Sequence, residues 1–180
     1  IDSEMFANPI PIRNPYTNIE ISRTNLYNIY LFIRNSQMDV PIIIKLLFLE
    51  EFNVTKMVEK YESMVRDMSI RSYCRDLSVR DKTYYIKEML DSYASDSIMR
   101  FQIHSEFPVC AFVKTFGPFL EKYMLSVYSF NPDLSQRYFT ETGVRIFRFK
   151  QANPRYGRRI RTNILDRSSA PEYEFITEYV

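Results

Sequence analysis

Glycine is nearly missing from this chain. It holds three glycines in 180 residues, with no tryptophan, one histidine and two cysteines. So few glycines exclude a phosphate-cradling P-loop, a dinucleotide-binding fingerprint and a tandem of type I′ hairpins, each of which needs glycine where a side chain cannot fit. With His104 as the only histidine, a Ser–His–Asp or Cys–His site would have to use it. The plainer reading places it at the edge of the core. Three Cys/His side chains, at 74, 104 and 110, fall short of the four that a structural zinc site takes. The two cysteines have no paired spacing, so two reduced thiols are expected rather than a disulfide framework.

Long apolar runs are absent too. Val40 to Leu49 is the longest, with Lys45 inside it, and is well short of the roughly 18 residues needed to span a bilayer. No membrane span is predicted. The first residue is Ile1, and a leader before it stays open. Carboxylates are plentiful but scattered. Pro132-Asp133 followed by Glu141-Thr142-Gly143 lacks the lysine that a metal nuclease would place two residues after the glutamate, and no EF-hand loop is present. The expectation is no catalytic residue, no metal, no cofactor and no enzyme.

What is present is ordinary globular material rich in rings: 46% hydrophobic, 26% charged, 14 Tyr and 14 Phe, enough for a real core. Residues 1–21, with Asn8-Pro9-Ile10-Pro11 and Asn14-Pro15-Tyr16-Thr17, read as an extended arm with turns. Leu26, Ile29, Tyr30 and Ile33 then mark a helix face after Ser22 or Thr24. Asp39 is the expected cap of a second helix, with Pro41 in its first turn; running to about Phe52, it is apolar almost all round and should be central. One long helix is expected from Val54 to about Arg75, burying Met57, Tyr61, Met64, Val65 and Met68. Ser78-Val79-Arg80-Asp81 resembles a capping box before a helix burying Val79, Ile86, Met89 and Leu90. Residues 95–116 are ambiguous, Pro118 opens a helix ended by Asn131-Pro132, and a short helix follows to about Thr140, where Gly143 breaks it. Val144 to Lys150 is the best strand in the chain, and 158–165 a possible second. The fold class is therefore mainly α: a helical bundle of five to six helices with a small C-terminal β element and an extended N-terminal arm.

Charge divides the chain more sharply than any motif. Residues 1–143 carry 16 basic and 18 acidic side chains, 144–167 carry eight basic and one acidic, and 168–180 carry three glutamates and no base. The expected organisation is an arm (1–21), a helical domain (22–143), a basic β-rich segment (144–167) and an acidic tail (168–180). Asymmetry of this kind concerns partners rather than fold. Arg145, Arg148, Lys150, Arg155, Arg158, Arg159 and Arg161 are the candidate contact residues. With Phe147, Phe149 and Tyr156 interleaved they would suit single-stranded nucleic acid, an arginine-rich protein interface, or a solvated edge strand. Tyrosines at helical spacing elsewhere are expected in the core and at its edges.

Asn14-Pro15-Tyr16-Thr17-Asn18 followed by Asn25-Leu26-Tyr27-Asn28-Ile29-Tyr30 resembles a poorly characterised group of proteins from large DNA viruses of eukaryotes, and the Asn, Ile and Tyr bias resembles their AT-rich genomes. The likeness covers the first third of the chain. It implies a virus-encoded helical protein and a role as a minor structural component of the particle, located in the virion or host cytoplasm, and it transfers no functional residue. Without it the chain would read as intracellular. The expected function is non-enzymatic and structural or scaffolding, with other protein subunits contacted through the arm and the basic segment. Nucleic-acid binding through 145–161 and a host-interaction module with a helical groove remain the other readings.

Overall fold

The computed structural model describes residues 5, 6, 10–94, 100–162 and 172–177. The chain is mainly α, with seven helices among these residues and one two-stranded antiparallel sheet. It divides into two compact units, Ile1–Ser69 and Ile70–Val180.

In the first unit, α1 (Arg23–Asn35) starts where Ser22 accepts a hydrogen bond from the Asn25 N–H. Leu26, Tyr27, Tyr30 and Ile33 form its inward side; Ile29, expected there, is exposed. The next helix, α2 (Ile42–Leu49), has Pro41 rather than Asp39 at its cap. Only Leu46 and Leu47 of this helix are buried, while Ile42 and Leu49 are exposed. An apolar sequence alone therefore did not make it central. It ends before the expected Phe52 because Glu51 and Phe52 both turn left-handed (φ 54° and 60°). The Phe52 N–H reaches back to the Leu47 carbonyl at 2.6 Å. Such conformations are costly for side-chain-bearing residues. Here Arg23 clamps the turn, its Nε donating to the Glu51 carbonyl at 2.7 Å and its Nη2 pairing with the Glu51 carboxylate at 3.0 Å. The Phe52 ring meanwhile packs edge-on to Tyr27.

The expected long helix is two. Asn53 caps α3 (Val54–Lys60), and α4 (Glu62–Asp76) begins after Tyr61. At that break Lys60 and the Tyr61 hydroxyl both reach Glu50, at 2.6 and 3.1 Å. The Lys60 hydrogen bond leads the effects that hold the Glu50 carboxyl below its usual range. Met64, expected in the buried stripe, is exposed. Leu46, Leu47 and Met57 are the buried centre of this unit, with Ile12 from the arm packed against them.

The second unit is built on α5 (Val79–Ser92), α6 (Val109–Tyr128) and α7 (Pro132–Ala152), with α6 packed against both of the others. Ser78 caps α5, accepting from the Asp81 N–H at 3.1 Å and donating to its carboxylate at 2.6 Å. Ile86, Met89 and Leu90 are buried as expected, whereas Val79 is exposed. Pro118 does not open a helix but lies inside α6, which starts at Val109.

The largest correction concerns 144–150. It is not a strand: α7 runs through Gly143 to Ala152. Thr142, Ile146 and Phe149 repeat at helical spacing toward the core, and this period outweighed the β-branched composition. Gly143 is tolerated because another ring occupies the space a side chain would take: a Cβ there would lie 3.0 Å from Tyr93 Cε1. The Tyr93 hydroxyl donates to the Phe139 carbonyl at 2.9 Å. The β element lies further on, β1 (Arg159–Arg161) pairing with β2 (Tyr173–Phe175) so that Ile160 faces Glu174. Part of the acidic tail thus forms a strand, and 163–171, which includes the end of the possible strand 158–165, lies outside the described residues.

Candidate interaction surface

The arm folds back on itself. Its two limbs are joined by an antiparallel backbone β-bridge between Arg13 and Glu20 and by the Ile21 N–H donating to the Ile12 carbonyl at 2.9 Å. The turn between them is specified by its sequence. Asn14 Oδ1 accepts from the N–H groups of Tyr16 and Thr17 at 2.9 and 3.3 Å, Pro15 fixes one φ, and Asn18 takes the left-handed position at φ 55°. Such a turn has little freedom left to lose on binding. At its tip the Tyr16 side chain is 95% exposed.

This hairpin and α1 flank one shallow depression, lined by Asn14, Thr17, Ile19, Asn25, Asn28 and Ile29. Ile19 and Ile29 are exposed apolar residues, and Phe32, one turn along α1, is 71% exposed. Large exposed apolar side chains among amide donors and acceptors have the composition of a protein contact. Not all of the arm is available for this. Met5 is buried, Phe6 lies under the Arg66 guanidinium at 3.8 Å, and Ile12 belongs to the core of its unit.

The seven basic candidates do not form one surface. Arg145 pairs with Glu141 at 2.9 Å, and Glu141 also holds Lys122 at 2.6 Å. Lys150 places its ammonium 4.6 Å over the Phe101 ring, and burial followed by the neighbouring Arg158 pulls its pKa down. Arg158 donates to Gln102 Oε1 at 2.9 Å, while Arg159 pairs with Glu106 at 2.8 Å and lies over Tyr173. Arg161 faces Tyr173 across the ladder. Arg148 and Arg155 are exposed and make no ion pair among the described residues. Phe149 and Tyr156 are not stacking platforms. Their rings pack 5.1 Å apart and each meets Phe116, a fully buried ring.

Lys150, Arg158 and Arg159 instead converge on a single loop, residues 101–106. The Gly157 carbonyl accepts from the His104 N–H in the same place, at 2.9 Å. That loop was the ambiguous part of the sequence, and no spacing rule connects positions more than 40 residues apart. Among the described residues no three His, Cys, Asp or Glu side chains gather as a metal site would require, and no helix is long and apolar enough to cross a membrane. Compared with protein-family models, curated proteins and solved structures, the chain matches none.

Proposed function

We propose that the protein is a non-enzymatic structural subunit that joins a larger protein assembly through its N-terminal hairpin and the exposed side of α1. The observation that carries this reading is the rigid turn that holds Tyr16 almost wholly in solvent, while its Asn14 and Thr17 line the depression containing the exposed Ile19 and Ile29. A tyrosine so placed offers apolar area and a hydroxyl at small entropic cost, the pattern of an interface anchor. The two stretches that resemble proteins of large DNA viruses contribute Asn14, Thr17, Asn25, Asn28 and Ile29 to the same depression, and that resemblance is the ground for naming a virus particle as the assembly. The basic segment has a smaller part than its charge suggests, because several of its cations are engaged within the chain.

Incorporation tests the reading. The chain is produced together with its native partner proteins, and assembled material is separated by velocity sedimentation. The parent should travel with the assembly. An Ile19→Asp, Phe32→Asp variant should remain in the slow fraction with an unchanged circular dichroism spectrum, since both residues are exposed. Equal distribution of parent and variant would overturn the proposal.

A further inference from the structure

The loop held by the basic segment forms one wall of a cavity. Its volume is about 320 Å³, at the low end of the ~300–1,000 Å³ typical of small-molecule sites. The opposite wall is one side of α5, where Thr83, Lys87, Leu90 and Asp91 recur at helical spacing. Leu90, Phe107 and Phe112, all buried, give it an apolar interior. Three side chains bring nitrogen donors to this cavity: Lys87, Arg100 and His104. Asp91 is the only carboxylate among the described lining residues. Lys87 and Arg100 are exposed, which puts them at the opening, and neither makes an ion pair among the described residues. His104 is oriented, its Nδ1 accepting from the Glu106 N–H at 3.2 Å. That bond leaves Nε2 as the nitrogen that carries hydrogen in the neutral ring.

The loop wall is fixed at four points by the segment 150–159: Lys150 over Phe101, Arg158 on Gln102, the Gly157 carbonyl on the His104 N–H, and Arg159 on Glu106. The cavity is therefore preformed, so a ligand does not have to order the wall on entry. An apolar interior whose mouth sets exposed Lys87 and Arg100 against the single exposed carboxylate of Asp91, a net positive charge, favours a molecule with an apolar body and one anionic head.

We propose that this cavity binds a small amphipathic anion, a carboxylate on a short aliphatic or aryl body, with Lys87, Arg100 and His104 receiving the carboxylate and segment 150–159 positioning the loop that encloses it. The cavity lies in the second unit and the proposed interaction surface in the first, so either assignment can fail without the other.

Calorimetric titration of the whole chain with octanoate below its micellar range, and with octan-1-ol as the uncharged match, tests this. Octanoate should bind at least about tenfold more tightly than the alcohol, the difference expected for a charge-assisted contact. Lys87→Ala with Arg100→Ala should remove that preference and leave the alcohol unchanged. Arg158→Gln with Arg159→Gln should weaken both ligands alike, because it loosens the wall without touching the head group. Ala94→Phe, which fills the cavity from the α5 side, should abolish both, with circular dichroism confirming the fold of each variant. No octanoate binding at millimolar concentration would overturn the site. Equal affinity for acid and alcohol would overturn the anion assignment, and binding indifferent to Ala94→Phe would place the ligand elsewhere. Unchanged affinities in the Arg158/Arg159 variant would overturn the positioning role.

Discussion

At Gly157 three chain segments meet within van der Waals distance. Its φ of +82° is open to glycine at little cost, and a Cβ would lie 3.0 Å from Ile103 Cγ1 and 3.2 Å from the Ile103 Cα. Its N–H also donates to the Ile176 carbonyl at 2.9 Å. The Ile103 backbone cannot rotate away as the end of a flexible side chain could. Gly157→Ala is expected to destabilise the protein by about 1–3 kcal/mol, the usual cost of such strain, measured as a lower denaturation midpoint. Two titratable groups, the buried Cys74 and the half-buried Tyr93, shape the alkaline behaviour. Burial pushes the Cys74 thiol up from 9.0 to about 12, with the Glu121 charge adding to it. Burial and the nearby Tyr123 push the Tyr93 hydroxyl from 10.0 to about 12. In the unfolded chain both groups release their protons earlier. Stability from these groups is thus fully present below about pH 9 and is lost as pH rises toward 12. Chemical denaturation at pH 8, 10 and 11 should show a falling midpoint, with Cys74→Ala and Tyr93→Phe flattening the decline. In the native protein at pH 8 a thiol reagent should modify Cys110, which is exposed, and reach Cys74 only on unfolding.

Elements with an apolar period and a side-chain cap were legible in the sequence, and α1 and α5 are the examples: Ser22, one of the two caps expected for α1, and Ser78 cap them, although Ile29 and Val79 of the expected faces are exposed. Elements whose course is decided by distant contacts were not. Nothing local to Gly143 says that Tyr93, 50 residues earlier, stacks against it and lets α7 continue. The run Val144 to Lys150 looks like a strand until Thr142, Ile146 and Phe149 are seen on one buried side. The arm was legible as extended chain with turns, but not as a contributor to its own core. Ile12 packs beside Leu46, Leu47 and Met57, and Met5 is buried. Removing residues 1–12 should therefore lower the stability of the first unit, besides weakening association. Leu47→Ala should cost about 2–5 kcal/mol as a core truncation. Hydrogen exchange across 42–60 checks both, through faster exchange of amides in α2 and α3. Unchanged rates would mean that the arm and Leu47 lie outside that core.

Over the whole molecule, the charge asymmetry was the clearest signal in the sequence and the least direct guide to function. Eight bases in 24 residues suggested an outward-facing patch. The fold turns much of that charge inward on the molecule, Arg145 to Glu141, Arg159 to Glu106, Arg158 to Gln102 and Lys150 to the Phe101 ring. Each engaged cation would have to give up a partner before it met a phosphate. Nucleic-acid affinity grows with the number of phosphates neutralised, and its logarithm falls against log salt with slope about −0.9 per phosphate on duplex DNA. If all seven candidates bound phosphate, the slope would be about −6. Arg148 and Arg155, exposed and without an ion pair among the described residues, support a slope no steeper than about −2. Fluorescence anisotropy with nonspecific duplex and single-stranded DNA, over a range of salt concentrations, gives the value directly. Arg148→Ala with Arg155→Ala should flatten it further, while Arg158→Gln with Arg159→Gln should leave it unchanged. A slope near −6 that falls with each arginine removed would mean that the segment leaves the 101–106 loop to bind nucleic acid, and would replace its internal role with an external one.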